Sequence, residues 1–318
     1  MSKPSEVHVN KVLENILIAN LQDQTDFVAG NVFSFVPVDF ESGTFFKYDI
    51  ADTSRREVKE RAPSTESVGV DWIPSTDTYT CKEYMVHHDV DDRVAANADV
   101  GMEDRTSTGL LLTEQMLLEF ELLFAAGFFT TGIWTGSTTG TDFDPAVAWN
   151  NSSGVPITNV RTQMAFMKKN TKKRPNCLVV STDVHNALMD NAQVIALMPT
   201  TDWRIPTEAD LAKAFGVEKY IVAGASYNSA AKGATLAMTD IFGSAQALLC
   251  YVNPAMSRMT PRAGAIFVPI NYGGNNYGIK AWEYYIDRIH STRYEHGMLG
   301  SMKLVSSVLG CFFTGLLS

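Results

Sequence analysis

At residues 76–86 the chain reads TDTYTCKEYMV, a run rich in β-branched and aromatic side chains that predicts a strand. Polar residues occur at both its odd-numbered and its even-numbered positions, so neither face of the strand is convincingly apolar. A shorter strand-like run, Phe45 to Tyr48, precedes it, and together the two runs predict a long hairpin. An isolated two-stranded hairpin is only marginally stable in water. We therefore expect this hairpin to project outward and to be steadied by another subunit.

The segment between the two predicted strands is strongly charged. It covers residues 52–61 and is followed by Ala62-Pro63-Ser64-Thr65, which predicts a turn. From Arg55 to Arg61 the charges alternate in sign, which fits either a solvated loop or an ionic seam between subunits. A basic patch for nucleic acid is disfavoured, because acidic residues are interleaved with the basic ones.

Upstream of the hairpin, apolar residues recur at helical spacing from Val9 to Leu21 and predict a short amphipathic helix over residues 9–22. A strand-like run follows at Val32 to Val38. Such a helix has to bury its apolar face, either against the core of its own chain or against a neighbouring chain.

Downstream of the hairpin, the pattern predicts a long helix from Asp104 to Ala126 that ends at Gly127. Leu111, Leu118 and Leu122 belong to its apolar stripe. Two acidic residues of this helix, Glu114 and Glu121, are interpreted as part of a solvated or interface face, since they lie two turns apart. We expect the helix to act as a structural axis.

The rest of the chain divides into a loop and two further regions. Residues 128–156 are rich in Thr, Gly, Ser and Asn and predict a surface loop at a domain boundary. From 156 to about 255, helices alternate with apolar strands and predict a compact α+β unit. Beyond it, residues 264–270 and 278–290 are predicted to pair with each other across a Gly- and Asn-rich turn, and residues 302–314 to form a final strand.

Composition excludes several classes of protein. The chain has 318 residues and a formal net charge of -9, which argues against non-specific binding to nucleic acid and against docking on an anionic membrane. Its first residues lack the pattern of a signal peptide, and no apolar stretch is suited to a membrane span, so we expect synthesis in a cytosol. The four cysteines are widely spaced and are expected to be buried thiols, with no disulfide or metal among them.

Catalytic and metal-binding patterns are weak. His87 to Asp92 is the one dense cluster of metal-ligating residue types, and a charged strand end is the plainer interpretation. Ser181, Asp183 and His185 are the residue types of a hydrolytic triad, but they stand where a helix is predicted to begin, and Ser and Asp are ordinary capping residues there. We therefore predict no catalytic residue, no cofactor and no resident metal.

Several stretches resemble the major capsid proteins of tailed bacteriophages, which have the Hong Kong 97-like fold. They are GTFFKYD at 43–49, RAPSTES at 61–67, STDTYTCKEY at 75–84, with His88-Asp89 and Ala96-Asn97-Ala98-Asp99 after it, and FTTGIW at 129–134. The order of the predicted elements is also similar, and the resemblance covers nearly the whole chain.

The resemblance implies an α+β fold with an N-terminal arm, an extended β-hairpin loop, a long spine helix in a peripheral domain and a compact axial domain. The implied ranges are 1–41 for the arm, 42–92 for the extended loop, 93–155 and 256–300 for the peripheral domain, and 156–255 and 301–318 for the axial domain.

The resemblance also implies a function. Such proteins form hexamers and pentamers that close into an icosahedral shell around packaged double-stranded DNA. The implied partners are copies of the same chain, a separate scaffolding protein, a portal and a decoration protein, and the implied location is the virion, after synthesis in the cytoplasm of a bacterial host. For the extended loop the implied role is contact with an adjacent subunit, so the candidate assembly residues are Phe45, Phe46, Tyr48, Arg55, Arg56, Lys59 and Arg61.

Two alternatives remain at this point. An encapsulin-like compartment has the same fold and holds cargo enzymes in place of DNA. An intracellular hydrolase would use the 156–255 unit, with Ser181 and His185 as its candidate residues.

Overall fold

A computed structural model describes residues 26–47, 50, 54–71, 75–97, 105–197, 206–253, 261–272 and 278–318. The helices are α1 (Ala29–Val32), α2 (Asp92–Asn97), α3 (Arg105–Phe128), α4 (Pro156–Thr171), α5 (Thr182–Met189), α6 (Ala192–Ile195) and α7 (Glu208–Phe215). The strands are β1 (Phe35–Val38), β2 (Ser42–Lys47), β3 (Ser75–Thr80), β4 (Lys82–Asp91), β5 (Cys177–Ser181), β6 (Lys219–Ala223), β7 (Ser226–Asn228), β8 (Met238–Asp240), β9 (Ala247–Cys250), β10 (Gly264–Pro269), β11 (Ile279–Ile286), β12 (Ser291–Leu304) and β13 (Gly310–Phe313).

The larger sheet is organised around β12, which is 14 residues long. Its first ten residues pair with β4 on one side, and β11 flanks them on the other. Its last four residues pair with β10, which is itself parallel to β1. The predicted pairing of residues 264–270 with 278–290 is therefore wrong. The long strand β12 supplies the backbone partners of both segments, so they do not pair with each other.

The segment quoted first, residues 76–86, is two strands and not one. Residues 75–80 form β3 and pair with β2 as a two-stranded ribbon, while residues 82–91 form β4 inside the larger sheet. The change of partner occurs at Cys81, whose backbone N–H donates to the Glu41 carbonyl and whose thiol contacts the Phe267 carbonyl. Only the first half of the predicted strand thus lies outside the backbone pairing of the larger sheet.

Helix α3 packs against the larger sheet and extends through the predicted stop at Gly127 to Phe128. Phe124 and Phe128 are fully buried and pack on Phe33, with ring centroids 5.9 and 4.5 Å apart. Glycine inside a helix costs about 1 kcal/mol relative to alanine, whereas burial of one phenylalanine contributes roughly 2–3 kcal/mol. Packing of Phe128 therefore outweighs the preference of Gly127 for a helix end.

The smaller sheet has the order β13-β9-β5-β6 and builds the second core. Every residue of β5, β9 and β13 is buried, with helices α4, α5 and α7 contributing to the same cluster. The predicted strand at 302–314 is interrupted here. β12 ends at Leu304, a 3-10 turn spans Ser307–Leu309, and β13 then enters the smaller sheet. This segment leads directly from the larger sheet into the smaller one.

The four cysteines are free and buried, as the sequence predicts. Burial raises the pKa of the Cys81 thiol to about 11. Among the described residues, no helix is long and apolar enough to cross a membrane.

Candidate assembly surface

The ribbon formed by β2 and β3 has an inner and an outer face. Side chains alternate along β2, so Phe45 is half-buried and Phe46 is 60% exposed. Phe45 packs on Phe267 of the main sheet, with ring centroids 5.4 Å apart. The two phenylalanines of the predicted interface therefore differ, because Phe45 holds the ribbon to its own chain and Phe46 faces outward.

Tyr79 fixes the base of the ribbon. Its ring stacks on Phe267 at 4.6 Å with an interplanar angle of 16°, and its hydroxyl donates to the Phe40 carbonyl at 3.2 Å. A side chain at Gly43 would collide with the Tyr79 hydroxyl, which explains glycine at that position. The Tyr79 ring therefore supports the ribbon from within its own chain. The sequence alone leads us to expect all of this support from a neighbouring subunit.

An ionic contact reinforces the same base. Asp77 on β3 lies between Lys47 of the ribbon and Lys303 of the main sheet, whose amino group is 3.4 Å from its carboxylate. The hydrogen bond from Lys47 is the main reason why the pKa of Asp77 is below its usual value. These groups are partly exposed, so the contact adds at most about 1 kcal/mol.

We expect Tyr79→Ala to free the ribbon from the main sheet. Loss of a large buried aromatic ring costs about 3–5 kcal/mol, whereas Tyr79→Phe removes only the bond to Phe40 and costs about 1 kcal/mol. Limited proteolysis in the 54–71 segment should accelerate strongly in the alanine variant and little in the phenylalanine variant. Equal rates for native protein and Tyr79→Ala would contradict this role.

The 54–71 segment carries the other candidate assembly residues. Arg55, Arg56, Lys59 and Arg61 are all exposed, and Tyr48 lies outside the described residues. The predicted turn at 62–65 is confirmed, with the Thr65 backbone N–H donating to the Ala62 carbonyl at 3.3 Å. The assignment of these basic residues to an inter-subunit seam stays a prediction.

The His87 to Asp92 cluster lies on β4 and the start of α2, and its carboxylates have partners. Asp89 accepts two hydrogen bonds from Arg293, at 2.6 and 2.7 Å, which lower the pKa of Asp89. Asp92 accepts a hydrogen bond from the Tyr285 hydroxyl at 2.7 Å. In the part of the chain that the structure describes, no group of three or more metal-ligating side chains is placed to hold an ion.

The candidate hydrolase residues Ser181 and His185 have hydrogen-bond partners other than each other. The Ser181 hydroxyl is buried and donates to the Ser244 carbonyl at 2.8 Å. The Nδ1 atom of His185 lies 3.0 Å from the Tyr220 hydroxyl instead. A nucleophile needs a base within hydrogen-bond reach, and these two contacts provide none.

The position of Glu121 differs from the one that the sequence predicts. Glu121 was interpreted as part of a solvated or interface face, yet it is fully buried. Its two oxygens accept hydrogen bonds from the backbone N–H groups of Val28 and Ala29, at 2.9 and 3.0 Å. The available signal was its spacing, four residues after Leu117 and three before Phe124, which places it on the apolar stripe of α3.

Solved structures give the comparison for this architecture. A phage-related protein from Bordetella bronchiseptica RB50 aligns with a TM-score of 0.67 at 17% identity, covering 97% of both chains. The mature capsid of bacteriophage PhiM1 aligns with a TM-score of 0.59 at 11% identity, covering 92% of this chain and 87% of that one. The holo-SrpI encapsulin complex from Synechococcus elongatus aligns with a TM-score of 0.52 at 12% identity, covering 97% and 96%.

No protein-family model matches the chain, and no curated sequence is similar to it. The similar structures are mostly capsids of tailed phages, over nearly their whole length. At these identities the comparison establishes the fold. The chain has the α+β, Hong Kong 97-like fold that the sequence resemblance implies.

Proposed function

We propose that this protein is a major capsid protein of a tailed bacteriophage, which assembles as hexamers and pentamers into an icosahedral shell around packaged double-stranded DNA. The observation that carries the proposal is the combination of this fold with an anchored ribbon whose outer face is exposed. Fold alone does not specify function. The exposed surface of the ribbon and its loop is the second observation, because assembly into a shell requires a surface that a neighbouring copy can cover.

The amount of exposed apolar surface supports assembly. Val58 is 83% exposed, Val70 is 63% exposed, and Phe40 is 74% exposed. All three belong to the ribbon, to its connecting loop or to the segment leading into it. Apolar side chains exposed to this extent are available for burial by a partner. A neighbouring copy that covers them gains roughly 25 cal/mol for each Å² removed from water.

The net charge of the chain supports a shell that encloses DNA without binding it. A net charge of -9 provides no general attraction for phosphates, so packaged DNA stays free to move. The remaining implied features belong to the same proposal: a scaffolding protein, a portal, a decoration protein, location in the virion, and the division into arm, extended loop, peripheral domain and axial domain.

The second candidate is an encapsulin-like compartment, and the similarity to the encapsulin complex favours it. The two functions differ in their contents. Neighbouring genes for a terminase and a portal would identify a capsid, whereas an adjacent gene for a cargo enzyme would identify a compartment.

Negative-stain microscopy of the purified full-length protein tests the proposal. The protein is imaged alone and together with the product of the upstream neighbouring gene. We expect uniform polyhedral particles in at least one condition. Small particles in both conditions would contradict assembly into a shell. Shell-sized particles that co-purify with an enzyme and contain no DNA would favour the encapsulin-like compartment.

A further inference from the structure

Positive and negative side chains are segregated along the helices of the second core. Residues 145–182 include six basic residues and no acidic one, although acidic residues outnumber basic ones in the whole chain. Five of these six stand within seven positions at the end of α4 and just after it, namely Lys168, Lys169, Lys172, Lys173 and Arg174. Residues 183–210 have the opposite balance, with five acidic residues and one arginine. The sequence therefore places a positive block directly before a negative one.

The positive block is exposed on the second core. Lys168, Lys169 and Lys172 are exposed, and we call these three lysines the basic edge. Arg174 fixes the position of this edge, because its guanidinium donates a hydrogen bond to the Gly216 carbonyl at 3.3 Å, at the C-terminal end of α7. Lys168 and Lys169 form no ion pair within the part of the chain that the structure describes. Five like charges in one short stretch repel each other and favour an anionic partner.

The negative block is exposed on a second surface of the same core. Asp183 and Glu208 lie in the first turns of α5 and α7, and both are exposed. Both helices pack on β6. Burial lowers the pKa of His185 on α5, and the charge of Glu208 opposes that shift, so the two first turns are close to each other. We call Asp183 and Glu208 the acidic edge.

The two edges lie at opposite ends of α7. Glu208 is the first residue of this helix, and Gly216, which Arg174 contacts, directly follows its last residue. Eight residues at 1.5 Å each separate the two ends by about 12 Å. One acidic residue, Glu218, lies near the basic end, where it accepts a hydrogen bond from the Asn176 amide at 3.1 Å. The second core is therefore mainly positive at one end of α7 and negative at the other.

Stabilisation of helix ends does not account for the whole pattern. Cations are favourable at the C-terminal end of a helix and carboxylates at the N-terminal end, which suits single charges on α4, α5 and α7. The effect falls off within one turn. The positive block extends from Lys168 to Arg174, whereas α4 ends at Thr171. The lysines and the arginine beyond the helix end therefore gain from a partner of opposite charge.

We propose that the basic edge of one copy docks on the acidic edge of a second copy, head to tail around a ring. The proposal rests on the proposed function, which requires rings of five and six copies. A head-to-tail contact joins two different surfaces of the same chain, and its repetition closes into a ring. The two edges have opposite charge and lie at opposite ends of one helix, which suits such a contact. Complementary charge directs association and fixes the orientation of the partners.

Charge reversal of each edge in the full-length protein tests this docking. One variant carries Lys168→Glu with Lys169→Glu, and the other carries Asp183→Lys with Glu208→Lys. Either variant alone brings like charges face to face in every contact. Assembly at low ionic strength should therefore require a protein concentration roughly 100-fold higher than for the native chain. Sedimentation and negative-stain microscopy measure this loss.

Mixing the two variants separates a contact between copies from an effect within one copy. In an alternating ring every reversed edge meets an edge of opposite charge, so an equimolar mixture should assemble again. Alternation requires an even number of copies, so rings of six should return and rings of five should not. A chain that carries all four substitutions should form both kinds of ring. A mixture that stays unassembled would overturn the proposal.

Lys82→Glu with Lys232→Glu is the matched control, since it makes the same change in net charge at exposed lysines outside the basic edge. It should assemble like the native protein, and an equal loss would overturn the proposal by assigning the effect to net charge. Normal assembly of either edge variant would also overturn it, and would leave the lysines to another polyanion, such as DNA.

Two further results keep the test decisive. If circular dichroism shows that a reversed variant is unfolded, Lys168→Gln with Lys169→Gln replaces it and should still assemble less than the native protein. Native protein that forms no ring or shell would contradict the proposed function and the docking together. Native assembly with unaffected variants would contradict the docking alone.

Discussion

Phe46→Asp is expected to abolish particle formation while leaving a folded subunit. Phe46 lies on the outer face of β2 and is 60% exposed, so its replacement disturbs no core of the same chain. In an assembled shell the position is covered by a neighbouring copy under the proposed function. The variant then loses the burial of a phenylalanine, about 2–3 kcal/mol, and places an unpaired carboxylate in the contact.

The effect is large because every subunit contributes the same contact. A penalty of about 3 kcal/mol weakens one interface more than 100-fold, and a closed shell repeats that interface for each copy. Microscopy should show no particles, and sedimentation should show a small species. Far-ultraviolet circular dichroism and thermal unfolding should match the native subunit.

Thr44→Asp provides the matched control. Thr44 is exposed on the same face of the same strand, so the change adds an identical charge without removing an aromatic ring. It should reduce particle yield far less than Phe46→Asp. Normal particles from Phe46→Asp would show that the outer face of the ribbon is not an assembly contact, and equal loss in both variants would assign the effect to charge.

Local pattern predicts the longer described helices α3, α4, α5 and α7 and the apolar strands β5, β6 and β9. The predicted helix over residues 9–22 lies outside the described residues. Helix α7 is an example of a helix set by local pattern. Thr207 and Asp210 form a capping box, and Gly216 ends the helix with φ of 73°, so local chemistry alone sets both limits. The smaller sheet likewise follows from fully apolar strands.

Features that depend on distant partners were not predictable from one sequence. The break at Cys81 follows from pairing of β4 with β12, more than 190 residues later, and not from any breaker residue. The position of Phe45 on the inner face depends on Phe267, and the burial of Glu121 depends on Val28 and Ala29. The sequence predicts the candidate assembly residues as one group, and the structure separates half-buried Phe45 from the exposed Phe46 and the four exposed basic residues.

Gly310→Ala is expected to destabilise the protein strongly, although it adds a single methyl group. Gly310 begins β13 in extended conformation, with φ of -140° and ψ of 150°, so alanine fits the backbone. The obstacle is steric, because an added Cβ would lie 2.1 and 2.3 Å from two ring atoms of Trp134. That ring has no exposed surface, and its Nε1–H donates to the Phe128 carbonyl at 2.8 Å.

The surrounding chain leaves the ring little room to move. Gly136 donates its N–H to the Gly310 carbonyl, and Thr135 donates to Ser307, so both strands of backbone are fixed against each other. Displacing a packed ring costs about 1–3 kcal/mol, and losing its buried hydrogen bond adds about 1–3 kcal/mol. We expect a total near 4 kcal/mol, which lowers Tm by roughly 6 °C in a protein of 318 residues.

Calorimetry of the native protein, Gly310→Ala and Gly127→Ala at one concentration and ionic strength tests this prediction. The control makes the same chemical change on α3, where no atom lies within 4 Å of an added Cβ. Alanine there should stabilise the helix by up to about 1 kcal/mol. The two variants should therefore shift Tm in opposite directions. A Gly310→Ala protein that melts like the native one would mean that the Trp134 ring moves freely and would contradict close packing between Trp134 and β13.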